Sequence, residues 1–114
     1  MVMRDMTSLT KAVEEWADLR GLTGADPYKQ MAKLMEEIGE LAEGLSKSKR
    51  DLTLDGIGDS VVVLIILAKQ VGSDITECLD IAYTEIKDRK GKTVNGIFVK
   101  EQDLLEEVEV TEHE

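Results

Sequence analysis

The stretch Val61-Val62-Val63-Leu64-Ile65-Ile66-Leu67 constrains the fold of this chain more than any other, because it is apolar without interruption and must be hidden on every side. Its β-branched residues suit a buried strand. Length argues for a helix instead. From Leu54 to Val71 there is neither a proline nor a turn cluster, which is far longer than an ordinary strand, and no partner strand is evident elsewhere. A helix that is apolar all round sits at the centre of a bundle or against another subunit.

Punctuation supplies three more helices around it. The first is expected to start at Thr7 or Ser8 as N-cap, to carry Leu9, Val13, Trp16 and Ala17 on one side, and to stop at Gly21. The second opens at Asp26-Pro27, since proline in the first turn lacks only an amide that would be unpaired there. Met31, Leu34, Met35, Ile38, Leu41, Ala42 and Leu45 then keep helical spacing. Ser46 to Arg50 reads as a polar, basic linker, and the apolar helix runs from about Thr53 to Val71 with Gly72 as its stop. A fourth helix begins at Ser73 or Asp74, with Ile75, Cys78, Leu79, Ala82 and Ile86 inward, and ends in Lys87-Asp88-Arg89-Lys90-Gly91. Thr93 to Phe98 reads as a tight turn with short extended flanks, Asn95-Gly96 being a favoured pair for such turns. The fold class is therefore all-α, a four-helix bundle.

A chain of 114 residues has room for one core, so residues 1–100 are read as one helical domain and 101–114 as a flexible acidic tail in which Leu104, Leu105 and Val108 form at most a frayed turn or two. The formal net charge of -10 repels a polyanion, which speaks against nucleic acid as a partner. The longest apolar run, Val61 to Ala68, is too short to cross a bilayer, and Met1 to Thr10 carries no apolar stretch flanked by basic residues. The lone Cys78 cannot form an internal disulfide and is read as core, so a cytoplasmic setting with no membrane partner is expected.

Two clusters carry chemistry. Glu36, Glu37 and Glu40 lie within the second helix, and Asp55 and Asp59, four apart, open the third. Residues three or four apart on a helix share a face, so each group presents carboxylates side by side, which hard divalent ions such as magnesium favour. Glutamate runs on helices are also commonly solvated faces, and on a helical wheel only Glu37 borders the apolar stripe while Glu36 and Glu40 point mostly away. Asp55 and Asp59 differ, because their face continues as Val62 and Ile66. Between Lys87 and Lys100 five bases (Lys87, Arg89, Lys90, Lys92, Lys100) accompany the single acid Asp88, a local reversal of sign. Bases in a last helical turn complement the helix dipole, but Lys92 lies beyond the stop at Gly91. Carboxylates that hold metal together with bases that hold phosphate are what hydrolysis of a phosphoanhydride requires.

Glu36-Glu37-x-x-Glu40, a spacer, and Asp55-Gly56-Ile57-Gly58-Asp59 before a long apolar helix resemble the MazG-like branch of the all-α nucleotide pyrophosphohydrolases. Gln30-Met31-x-Lys33-Leu34-x-Glu36-Glu37, and the block from Ile86 to Lys100 with its Lys-Asp-Arg-Lys-Gly-Lys and Asn-Gly elements, are similar to the short single-domain members common in bacteriophages. The resemblance covers about residues 7 to 101. It implies that Glu37, Glu40 and Asp59 hold Mg2+, or Mn2+ in its place, with Glu36 as a further ligand or the base that orients water. Where the family's second motif has Glu this chain has Gly56, and Asp55 is expected to substitute as a ligand, with Gly56→Glu tolerated or even favourable to metal binding. Lys87, Arg89, Lys92 and Asn95 map to phosphate and sugar contacts, Lys33 assists, and Trp16 is either core or a stacking surface for a base.

The implied activity is magnesium-dependent hydrolysis of a nucleoside triphosphate to monophosphate and pyrophosphate by a homodimer or homotetramer packed through the apolar third helix. Two other readings stand beside it: a non-catalytic relative that binds nucleotide or metal, favoured by Gly56, and an acidic helical adaptor for a basic partner, which would have no use for Lys87 to Lys100.

Overall fold

The computed structural model describes residues 4–105, so the tail beyond Leu105, including Val108, lies outside the described residues. In order the elements are α1 (Met6–Leu19), α2 (Pro27–Ser46), α3 (Arg50–Gln70), α4 (Ile75–Ile86), β1 (Gly91–Val94) and β2 (Ile97–Lys100). Among the described residues the chain is all-α apart from this one hairpin, and residues 101–105 are again helical. It divides into two compact units, Met1–Cys78 and Leu79–Glu114.

In the first unit, α3 is the central element and α1 and α2 both pack on it. Its residues Val63, Ile65, Ile66 and Ala68 are buried, with Ala17 of α1 beside them in the core. A helix buried from two sides has little reason to be amphipathic, which explains the unbroken apolar run. The second helix starts where its sequence says: Asp26 is the N-cap, its carboxylate accepts from the Tyr28 amide, and Pro27 stands in the first turn.

Other boundaries differ from the sequence reading. The N-cap of α1 is Asp5, whose carboxylate accepts from the Ser8 amide at 2.7 Å, so Thr7 and Ser8 are already helical. The third helix begins at Arg50, which shortens the linker to residues 47–49. That short link is possible because Ser48 takes a left-handed conformation (φ 53°), so that the Ser48 and Lys49 amides donate back to the carbonyls of Leu45 and Gly44. Gly21 and Gly72 close α1 and α3 in the same way, at φ 69° and 83°. Sequence inspection finds the two glycines and misses the serine, because serine seldom occupies this backbone region.

The α2–α3 hairpin is drawn tight at two buried glycines. A Cβ on Gly44 would meet the Thr53 amide and hydroxyl at 3.0 Å, and one on Gly56 would meet Cα and Cβ of Leu41 at 3.0 Å. Gly56 thus faces the neighbouring helix backbone, and this contact speaks against the expectation that glutamate is tolerated there, because Leu41 would have to give way. Ser60, one turn further along α3, is buried and donates its hydroxyl to the Gly56 carbonyl at 2.8 Å.

In the second unit, β1 and β2 pair antiparallel with Val94 opposite Ile97. The Asn95-Gly96 turn has φ of 51° and 79°, the pattern of a tight hairpin turn that asparagine and glycine adopt most easily. The fourth helix starts at Ile75, within the first unit, and the Asp74 carboxylate before it accepts from the Glu77 amide at 2.8 Å. Of its expected inward face, Ile75 is half-buried, while Cys78, Leu79, Ala82 and Ile86 are exposed. Helical spacing reveals which residues share a face but carries no information on whether anything packs against it. No helix among the described residues is long and apolar enough to cross a membrane.

Candidate metal centre

Close approach at Gly44 and Gly56 has a consequence one and two turns away, where α2 carries Glu40 and Glu37 and α3 carries Asp59. Glu37, Glu40 and Asp59 each offer a carboxylate oxygen, and these oxygens lie within 4.8 Å of one another. Glu37 is buried, Asp59 half-buried and Glu40 exposed, so the group forms a shallow site open on one side. Glu40, which the helical wheel turns away from the apolar stripe, still reaches the other two because its chain is long and Asp59 comes from the neighbouring helix.

Three carboxylates this close oppose each other's ionisation. The Glu40 carboxyl is held above the usual range, first by the charge of Glu37 and then by desolvation. That of Asp59 is also raised, first by desolvation and then by the charges of Asp55 and Glu37. Asp55 is exposed, and its charge acts on Asp59 from beside the group of three. Glu36 lies outside the group, is exposed, and pairs with Lys33 at 3.4 Å. Lys33 also pairs with Oε1 of Glu37 at 3.3 Å, and its ammonium is held above the usual lysine range, first by Glu37 and then by Glu36.

Glu37 Oε2 is buried and has no hydrogen-bond partner among the described residues. A carboxylate oxygen withdrawn from water and left unpaired is costly, and a cation offsets that cost. The donors are oxygen only, with neither histidine nor cysteine, which suits a hard ion of the magnesium or manganese type rather than zinc. Oxygens sharing a magnesium ion lie roughly 3–4 Å apart, given Mg–O distances of about 2.1 Å, so side-chain rotation alone brings this group to such a spacing. The residues fit a divalent cation.

The second unit holds the remaining sequence candidates. Lys87 and Arg89 lie in the turn after α4, Lys92 on β1, and Asn95 in the hairpin turn, all exposed. Asn95 has a reason to be asparagine in its left-handed backbone alone. Lys92 pairs across the hairpin with Val99 and Lys100 with Gly91, one residue out of step, so the two lysines project from opposite faces. In the first unit, Trp16 is 47% exposed rather than core, and the Arg20 guanidinium lies over its ring, 4.2 Å from the centroid. A groove of about 350 Å³ beside it is lined by Arg4, Leu9, Ala12, Val13, Trp16 and Val62.

Two features here escape sequence reading. One is the Lys33–Glu37 pair, since lysine four residues before glutamate is a common surface spacing. The other is the helix contact at Gly44 and Gly56, whose faint signal is a glycine kept inside a helix at a cost in stability.

No family model matches the chain. Over 69 residues it is 51% identical to an uncharacterized 18.2 kDa protein from the rep-hol intergenic region of Haemophilus phage HP1, a match covering 60% of this chain and 42% of that protein. A second match, 31% identical over 84 residues, falls on the glutamine-hydrolyzing GMP synthase of Agathobacter rectalis, covering 73% of this chain and 16% of the synthase. The matched part is thus less than half of either relative's length. The crystal structure of the Bacillus-conserved MazG protein, a nucleotide pyrophosphohydrolase, superposes with a TM-score of 0.64 over 79% of this chain and 97% of that one, at 24% identity. The chain has the MazG fold, in keeping with the motif resemblance.

Proposed function

We propose that this protein is a divalent-cation-dependent nucleoside triphosphate pyrophosphohydrolase, which cleaves its substrate to a nucleoside monophosphate and pyrophosphate. The observation that carries the reading is the convergence of Glu37, Glu40 and Asp59 from two helices, with one oxygen of Glu37 buried and unpaired. It is supported by a fold shared with a protein described as a nucleotide pyrophosphohydrolase.

In this reading Glu37, Glu40 and Asp59 hold Mg2+ or Mn2+, and Asp55 stands by as a further ligand. The ion, when bound, supplies Lewis acidity at the phosphate oxygens and lowers the pKa of coordinated water. The protein's own groups do the rest. Glu36, an exposed acid of α2 that is paired with Lys33, is the base that orients the attacking water and accepts its proton. Burial of Glu37 fixes its carboxylate so that little reorganisation accompanies the reaction. Lys87, Arg89 and Lys92 are assigned to substrate phosphates, Asn95 to the sugar, and Trp16 offers an exposed ring for a base. We further propose that the protein works as a homodimer or homotetramer, because the apolar residues Leu54, Ile57 and Leu64 of α3 are exposed in the single chain. Its one cysteine, free and exposed, suits the reducing cytoplasm.

The test is incubation with a panel of nucleoside triphosphates, with and without Mg2+, followed by separate detection of pyrophosphate and phosphate. Pyrophosphate release that needs the ion and is lost in Glu40→Gln and Asp59→Asn is expected, with the helical circular-dichroism signal unchanged. Turnover that survives both substitutions, or phosphate as the product, would refute the assignment.

A further inference from the structure

We propose that Lys33 is the built-in counter-ion of the acid cluster, neutralising the buried Glu37 when no divalent ion is bound and weakening the ion's affinity when one is; this inference rests on the metal-site reading above.

Lys33 has been given a supporting role toward substrate phosphate by resemblance, yet its Nζ is engaged with carboxylates: 3.3 Å from Glu37 Oε1 and 3.4 Å from Glu36 Oε2. The pair with Glu37 is unlike an ordinary surface pair. In the Glu43–Lys47 pair of the same helix both side chains are 53% exposed, whereas here Lys33 is 54% exposed and Glu37 only 9%. The order along the helix also differs. Glu43 precedes Lys47, the arrangement that stabilises a helix, while Lys33 precedes Glu37, the less favourable one. Helix surface chemistry therefore gives only a weak reason for Lys33, and the buried carboxylate gives a stronger one. Because Lys33 takes Oε1, the second oxygen is left to the site, and Oε2 is the atom that is buried and unpaired. Lys33 thus divides Glu37 into one oxygen spent on an internal cation and one free for an external ion, which makes it a positioning residue for this ligand.

A unit charge so close to the site repels a divalent ion, and even at the dielectric of water that repulsion is worth roughly tenfold in affinity. Removing the charge should have two effects of opposite sign. Binding of Mn2+ to substrate-free Lys33→Gln, followed by electron paramagnetic resonance or calorimetry, is expected to be about tenfold tighter than in the wild type. The thermal midpoint of the same variant in chelator is expected to fall by several degrees, because Glu37 keeps its burial and loses its partner. Lys33→Arg keeps the charge and should retain wild-type affinity and midpoint. A Lys33→Gln protein with unchanged or weaker Mn2+ affinity would overturn the counter-ion role, and so would an unchanged midpoint in chelator. If Lys33 instead contacted substrate phosphate, KM would rise with Mn2+ affinity unaltered. A wild-type protein that binds no Mn2+ would remove the metal site itself, and with it both proposals, an outcome distinct from failure of the Lys33 variants alone.

Discussion

Replacing Gly56 by alanine isolates the contact that builds the site. At an interior helical position alanine is intrinsically favoured over glycine by about 1 kcal/mol. Gly39 of α2 is the matched control, because a Cβ there meets nothing within 4 Å, and Gly39→Ala should therefore stabilise the protein by about that amount. At Gly56 the added carbon would lie 3.0 Å from Cα and Cβ of Leu41, inside normal contact distance, and Leu41 Cα is backbone that moves only if α2 moves. Overpacking of this kind costs about 1–3 kcal/mol, so after the propensity gain Gly56→Ala should lose up to about 2 kcal/mol. The two variants are expected to differ by roughly 2 kcal/mol, or on the order of 8–16 °C in thermal midpoint for a domain of this size. Urea and thermal unfolding of both, alongside wild type, measure this directly. The same displacement separates Asp59 from Glu37 and Glu40, so Mn2+ affinity should also fall in Gly56→Ala. A Gly56→Ala protein as stable as Gly39→Ala, or one with undiminished ion affinity, would refute the account of how the helices bring the acids together.

In the metal-free protein the contribution of Asp59 and Glu40 to stability should fall as pH rises through the carboxylate range, whereas Asp5 and Glu43, held low by the Ser8 amide and by Lys47, act in the opposite sense. Asp59 and Glu40 have native pKa values above their unfolded ones, so the folded state holds these protons more tightly, and its advantage is complete below about pH 4 and disappears as pH climbs through the raised values. In chelator, Asp59→Asn should accordingly have a higher midpoint than wild type at neutral pH and lose that advantage in acid; a lower midpoint at pH 7 would contradict the mutual repulsion. Asp26→Ala, by removing the N-cap of α2, should cost about 1 kcal/mol in urea unfolding. Ser48→Gly relieves a left-handed serine in the α2–α3 turn and should stabilise by on the order of 0.5 kcal/mol, read as a higher urea midpoint with unchanged slope.

Sequence by itself determined the elements whose causes are local. The helical stripe from Met31 to Leu45, the cap at Asp26, the stops at Gly21 and Gly72 and the turn at Asn95-Gly96 each depend on dihedral preference or short-range hydrogen bonding, which a few neighbouring residues decide. The apolar run of α3 announced its central place because no exposed helix tolerates it. Tertiary structure decided everything that depends on distance between helices. Glu40 seemed turned away from the site until α3 came close enough at Gly44 and Gly56 to set Asp59 opposite it. Gly56 looked like a missing acid and is a contact with Leu41, and Lys33 looked like a surface lysine and is paired with a buried carboxylate. Cys78 and Leu79 keep the spacing of a core face yet remain exposed. Periodicity describes one helix in isolation, whereas burial, charge pairing and metal geometry are properties of two helices and the gap between them.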